Sequence, residues 1–387
     1  MNNYFETSSM HSGISSNIVL AMTLIASLTL TACGGGDESR VPAAAPLASA
    51  APITPVAPAT ITVPPAPHSL VVLPASGTIT HGMQLTPEMV GPAGIAISSF
   101  ADVPGGTFSG TPLNGWSDHA RVVGPGVEVI DGYSFPAGTV VLQGVNLSSE
   151  VVVNSGWLVL RGSKGSLLLN HPKGSKDGGA ALYSELSAFN TVGAKDGRQP
   201  ALSICHRCYF PHSGLENIYS NNVIISESWI AVDPGNTGDH VDGIQTWGGQ
   251  SGLNISRNRL QWNGEQNGTQ SGLIAMYSDG AQNASTGYNK IVIENNYIVI
   301  GKGGGIGLHA PMNVPTMNMK VSGNRWAWVD GYDPDYTPAI YRGPKFANYR
   351  KNGNCWSDNR WSDGEHANKF LLPDNSTGIT DKYNTGC

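Results

Sequence analysis

The sequence predicts an all-β fold: short parallel strands stacked into a solenoid, with a segment at the C-terminal end that caps the open stack. Three observations predict it. Glycine is abundant, 49 in 387 residues, while only 13% of residues are charged and no long stretch carries a 3.6-residue apolar period. Four segments repeat: "IISESWIAV" at 224–232, "ISRNRLQW" at 255–262, "IENNYIVI" at 293–300 and "VSGNRWAW" at 321–328. They align on Ser228, Asn258, Asn296 and Asn324, at spacings of 30, 38 and 28 residues. Finally, strands within the repeats alternate. In "GIQTW" Ile244 and Thr246 point inward while Gln245 and Trp247 point outward. Unequal spacing excludes a rigid helical repeat and suits a stack whose loops vary in length.

The elements follow in chain order. Residues 18–32 are apolar and end in "LTAC" at 30–33. This resembles the lipobox of bacterial lipoproteins, which implies a signal peptide over 1–33 and lipidation of Cys33, with a plain cleaved signal as the alternative. Residues 34–76 read as a semi-extended tether, since 40–76 is dominated by Pro and Ala and nearly free of charge. Residues 77–330 hold the repeats and residues 331–387 the cap. Within the former, "LTPEMVGPAGIAISSF" at 85–100 reads as a leading strand and cap, and 127–162 as the first rungs. With Cys33 lipidated, four cysteines remain. Export favours disulfides, Cys355 with Cys387 and Cys205 with Cys208; zinc is the rival for the "CHRC" stretch.

A second set of segments starts at Gly214, Gly243, Gly272 and Gly305. Stacked on these glycines, Leu273 and Ala275 repeat the inward pattern, as do Ile306 and Leu308. Glu216, Gln245, Ile274 and Gly307 then share one outward column, and Ile218, Trp247, Met276 and His309 the next. A further column carries Trp229, Arg259, Tyr297 and Arg325. Asn at successive corners forms an internal amide ladder that satisfies main-chain groups left unpaired there.

Over roughly residues 115–330 this rung pattern resembles the right-handed parallel β-helix of the pectate-lyase-like superfamily. "HVDGIQ" at 240–245 is similar to secreted bacterial members that act on polysaccharides. Together with the lipobox at 30–33, this resemblance implies an exported protein, lipid-anchored to the cell envelope, monomeric, with a polysaccharide as its partner. A net charge of -6 makes nucleic acid an unsuitable one.

Three readings fit that frame. Elimination on an acidic polysaccharide is the first. It needs a cation to neutralise the uronate, a base for the C5 proton and an acid for the leaving oxygen. Arg259, Arg325 or calcium held by Asp239 and Asp242 would neutralise; His240 or His309 would be the base and Tyr277 the acid. Hydrolysis would use a carboxyl pair, Asp239 with Asp242 or Asp242 with Glu216. The third reading is a non-catalytic β-helix, glycan-binding or structural at the surface. Trp247, Gln245, Glu216, Arg259 and Arg325 are the substrate-binding candidates.

Overall fold

The computed structural model describes residues 85, 89–92, 100–110, 115–191, 199–212, 214–233, 241–247, 250–263, 271–277, 287–300, 305–309, 316–328, 340–341, 352–373 and 376–380. The described secondary structure is all-β apart from short 3-10 turns such as Gly364–His366. Among these residues no helix is long and apolar enough to cross a membrane.

Most of the described parallel strands fall into three columns, with Tyr288–Asn289 and Thr316–Met317 pairing apart from them. The first contains Val140–Gln143, Leu158–Arg161, Gly178–Leu182, Leu202–His206, Val223–Ser226, Leu253–Ser256, Val292–Glu294, Lys320–Ser322 and Cys355–Ser357, each paired with the next. The second includes Tyr209–Phe210, Trp229–Val232, Arg259–Trp262, Tyr297–Ile300, Arg325–Trp328 and Arg360–Trp361. The third includes Leu215–Ile218, Ile244–Trp247, Ser271–Tyr277, Gly305–His309 and Ile340–Tyr341. Lys164–Leu169 and Glu185–Thr191 run through both the second and third columns. Pairing between successive repeats at matched positions is compatible with a β-solenoid. The columns enclose one apolar core that includes Leu160, Leu215, Ile225, Ile255, Leu260, Ile274, Ile293 and Trp326. Each such side chain, fully buried, contributes about 1.5–3 kcal/mol.

One corner joins the first column to the second, and it follows a single rule. The residue before it is left-handed in every repeat: Tyr183, Arg207, Glu227, Arg257 and Asn295 have φ between 49° and 58°. Such backbone is costly outside glycine. The next side chain turns inward and repairs the corner. Asn258, Asn296, Asn324 and Asn359 each accept, at Oδ1, the amide of the corner residue one repeat earlier, at 2.9, 2.9, 3.0 and 3.2 Å. Their Nδ2 groups donate to the carbonyls of Ile225, Ile255, Ile293 and Val321. Toward the N-terminus the same place is taken by Ser228, Cys208, Ser184 and Ser163. The ladder predicted at Asn258, Asn296 and Asn324 is therefore present, and it extends over smaller residues.

Cys208 is a member of that ladder. Its thiol donates to the carbonyl of Ala181 at 3.3 Å, and its amide donates to Ser228 Oγ. Cys205 points into the core beside it, and both thiols are free and fully buried. The disulfide expected between Cys205 and Cys208 is thus overturned: the corner uses the thiol as a donor. Cys355 is disulfide-bonded, to a partner outside the described residues, where Cys387 and Cys33 both lie.

Three further expectations on register and boundaries change. Residues 127–136 are not a rung. Val127–Ile130 and Tyr133–Pro136 form an antiparallel hairpin around Asp131-Gly132, both with positive φ, the turn that two-residue hairpins favour. Ile130 and Phe135 from this hairpin cover Val141, Val159, Ala180 and Ile204 on the outer face of the first column. Tyr133 Oη lies 3.0 Å from Ser226 Oγ, which lies 2.9 Å from His206 Nδ1. Next, Leu85 and Val90 do not begin the stack. They pack on Tyr209 and Trp229 at the side of the second column. Finally, parallel pairing continues past residue 330 through Cys355–Ser357 and Arg360–Trp361, and closes with antiparallel Phe370–Leu371 and Thr377–Gly378.

Candidate functional site

Asp242 precedes the third-column strand Ile244–Trp247 and is completely buried. Three donors surround its carboxylate. Gly272 N–H donates to Oδ1 at 2.6 Å, Gln245 Nε2 to Oδ2 at 2.8 Å, and the Tyr277 hydroxyl to Oδ2 at 3.0 Å. The fold brings these groups together by register. Gln245 is three residues along the same strand, and Gly272 and Tyr277 lie at the two ends of the neighbouring strand Ser271–Tyr277. Tyr288, buried, donates to the Tyr277 carbonyl at 2.8 Å and fixes the far end of that strand.

Beside this network runs a file of rings. Tyr219 stacks on Trp247 with centroids 6.2 Å apart and planes 9° apart. Trp247 meets Tyr277 at 5.3 Å, and Tyr277 meets His309 edge-on at 4.8 Å. These are the separations of offset, tilted and edge-to-face ring contacts. Tyr219, Gln245, Trp247 and Tyr277 stay half-buried, whereas His309 is buried. The indole N–H of Trp247 is shut off from solvent and has no hydrogen-bond partner.

The register differs by one residue from that expected. Ile274 and Met276 lie beside Ile244 and Thr246 and continue the inward pattern in place of Ala275, while Leu273 packs in the same core as expected. Trp247 is level with Tyr277, and Gln245 is level with Ala275 and His309. Stacking the segments on their glycines caused the slip: Gly243 N–H bonds the Gly272 carbonyl, which places Gly272 beside Asp242 rather than Gly243. Tyr219 was missed for a related reason. A register shift between Leu215 and Ile218 lifts Tyr219, not Ile218, to the level of Trp247.

Sequence-predicted residues therefore divide. Asp242, Gln245, Trp247, Tyr277 and His309 form one contacting group. Asp239 and His240 lie outside the described residues, as does the side chain of Glu216. Arg259 and Arg325 do share a column, but it is the second, and they are engaged there. Arg259 lies 4.2 Å from the Trp229 ring centroid and donates from Nη1 to the Leu85 carbonyl at 2.6 Å. Arg325 pairs with Asp358 at 3.3 Å and bonds its carbonyl. The expected metal role of Asp242 does not fit its surroundings. A cation needs the carboxylate lone pairs, and here N–H and O–H donors point at them. Among the described residues no group of three or more His, Cys, Asp or Glu is arranged to hold a metal.

Chemically, the group can hold a phenol against a buried carboxylate, set an amide beside it, and present half-exposed ring edges to a ligand. Comparison of the chain with protein-family models, with curated proteins and with solved structures finds no match.

Proposed function

We propose that the chain is a right-handed parallel β-helix, exported and lipid-anchored through Cys33, that engages an extracellular polysaccharide along its third column of strands. One observation carries the reading: a file of half-exposed rings, Tyr219, Trp247 and Tyr277, adjoins polar groups ordered by the buried Asp242. Polar groups fixed beside aromatic edges suit a hydroxyl-covered ring with apolar C–H patches. Binding is the reading best supported, because the arginines that would neutralise a uronate are engaged on the second column. Elimination is kept as a second reading, favoured by the 4.8 Å contact of Tyr277 with His309, an acid and a base of the right kinds.

A panel of polysaccharides tests both. The full chain is incubated with each polymer, and gel retardation, reducing ends and the ultraviolet absorbance of unsaturated products are followed together. Binding alone gives retardation without product. Elimination adds a rise in absorbance and in reducing ends, abolished by His309→Ala. Absence of retardation and of product across the panel refutes the polysaccharide reading.

A further inference from the structure

We propose that the strip that engages the glycan continues past the rings to a carboxamide pair, Asn154 with Asn170. Its ligand is then an extended chain of about six sugar residues, not a short oligomer. This rests on the glycan reading above and specifies the length of chain that the face takes.

Register puts the pair and the rings on one line. Val153, Leu169, Thr191, Ile218, Thr246 and Met276 are Cα partners in series, across six rungs of the third column. Successive side chains on a strand point to opposite faces, so the residue after each of these faces outward. At the C-terminal end of the series these residues are Tyr219, Trp247 and Tyr277, the file of rings. At the N-terminal end they are Asn154 and Asn170, both half-buried. The ladder reaches this file: Asn170 N–H donates to the Val153 carbonyl, and Tyr219 N–H to that of Thr191. Residue 192, between the two groups, lies outside the described residues. Asn170 Nδ2 donates to Asn154 Oδ1 at 2.7 Å. That bond leaves the Asn154 Nδ2 group as a donor and Asn170 Oδ1 as an acceptor, a match for two adjacent sugar hydroxyls. Val152 and Leu168, two positions back on the same strands, are half-buried and set apolar surface beside the amides. Polar atoms next to apolar surface thus recur at both ends of the strip, and Asn190 and Asn217 stand between them. Rungs lie about 4.8 Å apart, so Asn154 and Tyr277 are about 24 Å apart along the stack. A residue of an extended glycan spans close to one rung. A chain that reaches both ends therefore gains contacts that a trimer cannot make.

Titration of the full chain with cello-oligosaccharides and with oligogalacturonates, each from dimer to octamer, tests this. In the series that binds, affinity is expected to rise about tenfold from trimer to hexamer, the worth of one further hydrogen bond, and to level off beyond. Asn170→Ala and Asn154→Ala, both on the outside of the stack, abolish that rise. Trp247→Ala instead weakens trimer and hexamer alike. The ratio of hexamer to trimer affinity is the deciding quantity, because a variant that is partly unfolded lowers both affinities together and leaves their ratio unchanged. Equal wild-type affinity for trimer and hexamer overturns the inference and leaves the glycan reading standing. So does a rise that survives in both asparagine variants. Binding by no oligomer of either series overturns both.

Discussion

Asn296 does the work of a corner that no main-chain partner can complete. Its Oδ1 takes the Asn258 amide, and its Nδ2 reaches both the Ile255 carbonyl and Asn324 Oδ1. Asn296→Ala leaves those buried groups unpaired and should destabilise by about 1–3 kcal/mol. Asn296→Ser, which copies Ser228 two corners back, should recover part of that loss. Urea midpoints decide it; an alanine variant as stable as the wild type would make the ladder incidental. This role was legible in the sequence because the same residue recurs in the same local frame. Asp242 was not legible in that way. An Asp-Gly pair reads first as a turn, and the Gly272 and Tyr277 groups that define its role lie 30 and 35 residues away. Their approach depends on a register that no local pattern sets.

Among the elements, the hairpin Val127–Ile130 with Tyr133–Pro136 is the one whose stability should depend most on pH. It rests on Tyr133, which reaches Ser226 and, through it, His206. His206 is 9% exposed, and its pKa falls from the ordinary 6.5 to about 4, chiefly because burial penalises the cation. Glu227 and Asp131 nearby oppose that shift, while Arg207 and Arg257 reinforce it; Tyr133 and Tyr183 pack edge-on against the ring. Between about 4 and 6.5 the folded state therefore binds fewer protons than the unfolded one. Stability from the neutral ring is full above 6.5, is lost as pH falls toward about 4, and changes no further below it. At about 1.4 kcal/mol per pH unit the loss is at most about 3.5 kcal/mol. Thermal melts at pH 7 and pH 4 should separate further for the wild type than for His206→Gln; equal separations would remove His206 from the account. In the sequence, Asp131-Gly132 carried the hairpin signal, but the valine-rich run around it also matched a rung. Which pattern wins is decided by Ile130 and Phe135, which bury themselves on a column that exists only after later strands have paired.

For the whole molecule, the sequence made the stacking of repeats readable through Ser228, Asn258 and Asn324, while the faces that the loops bring together stayed hidden. Stacking also couples distant repeats. Cys205 and Cys208 lie in its middle, fully buried, and burial holds the Cys205 thiol well above its usual pKa. Neither should react with an alkylating reagent in the folded protein. Both should be labelled after unfolding in denaturant without reductant, with a midpoint matching global unfolding. Mass spectrometry of the labelled peptides checks this, and a pair that needs reductant before labelling would restore the discarded disulfide.

The seat of Leu85 has a mechanical consequence. Tension arriving along the chain from the N-terminal side meets the stack at Trp229 and Arg259 before it meets the first strand, Ala101–Val103. The load enters partway along the stack, spread over the Arg259–Leu85 bond, the Gly91–Arg207 bond and the apolar seat of Leu85 and Val90. The outermost strand, which a direct pull would peel away one hydrogen bond at a time, is spared. A fold whose weakest edge lies at its end is thus held from its middle, like a rope belayed above the climber's last knot.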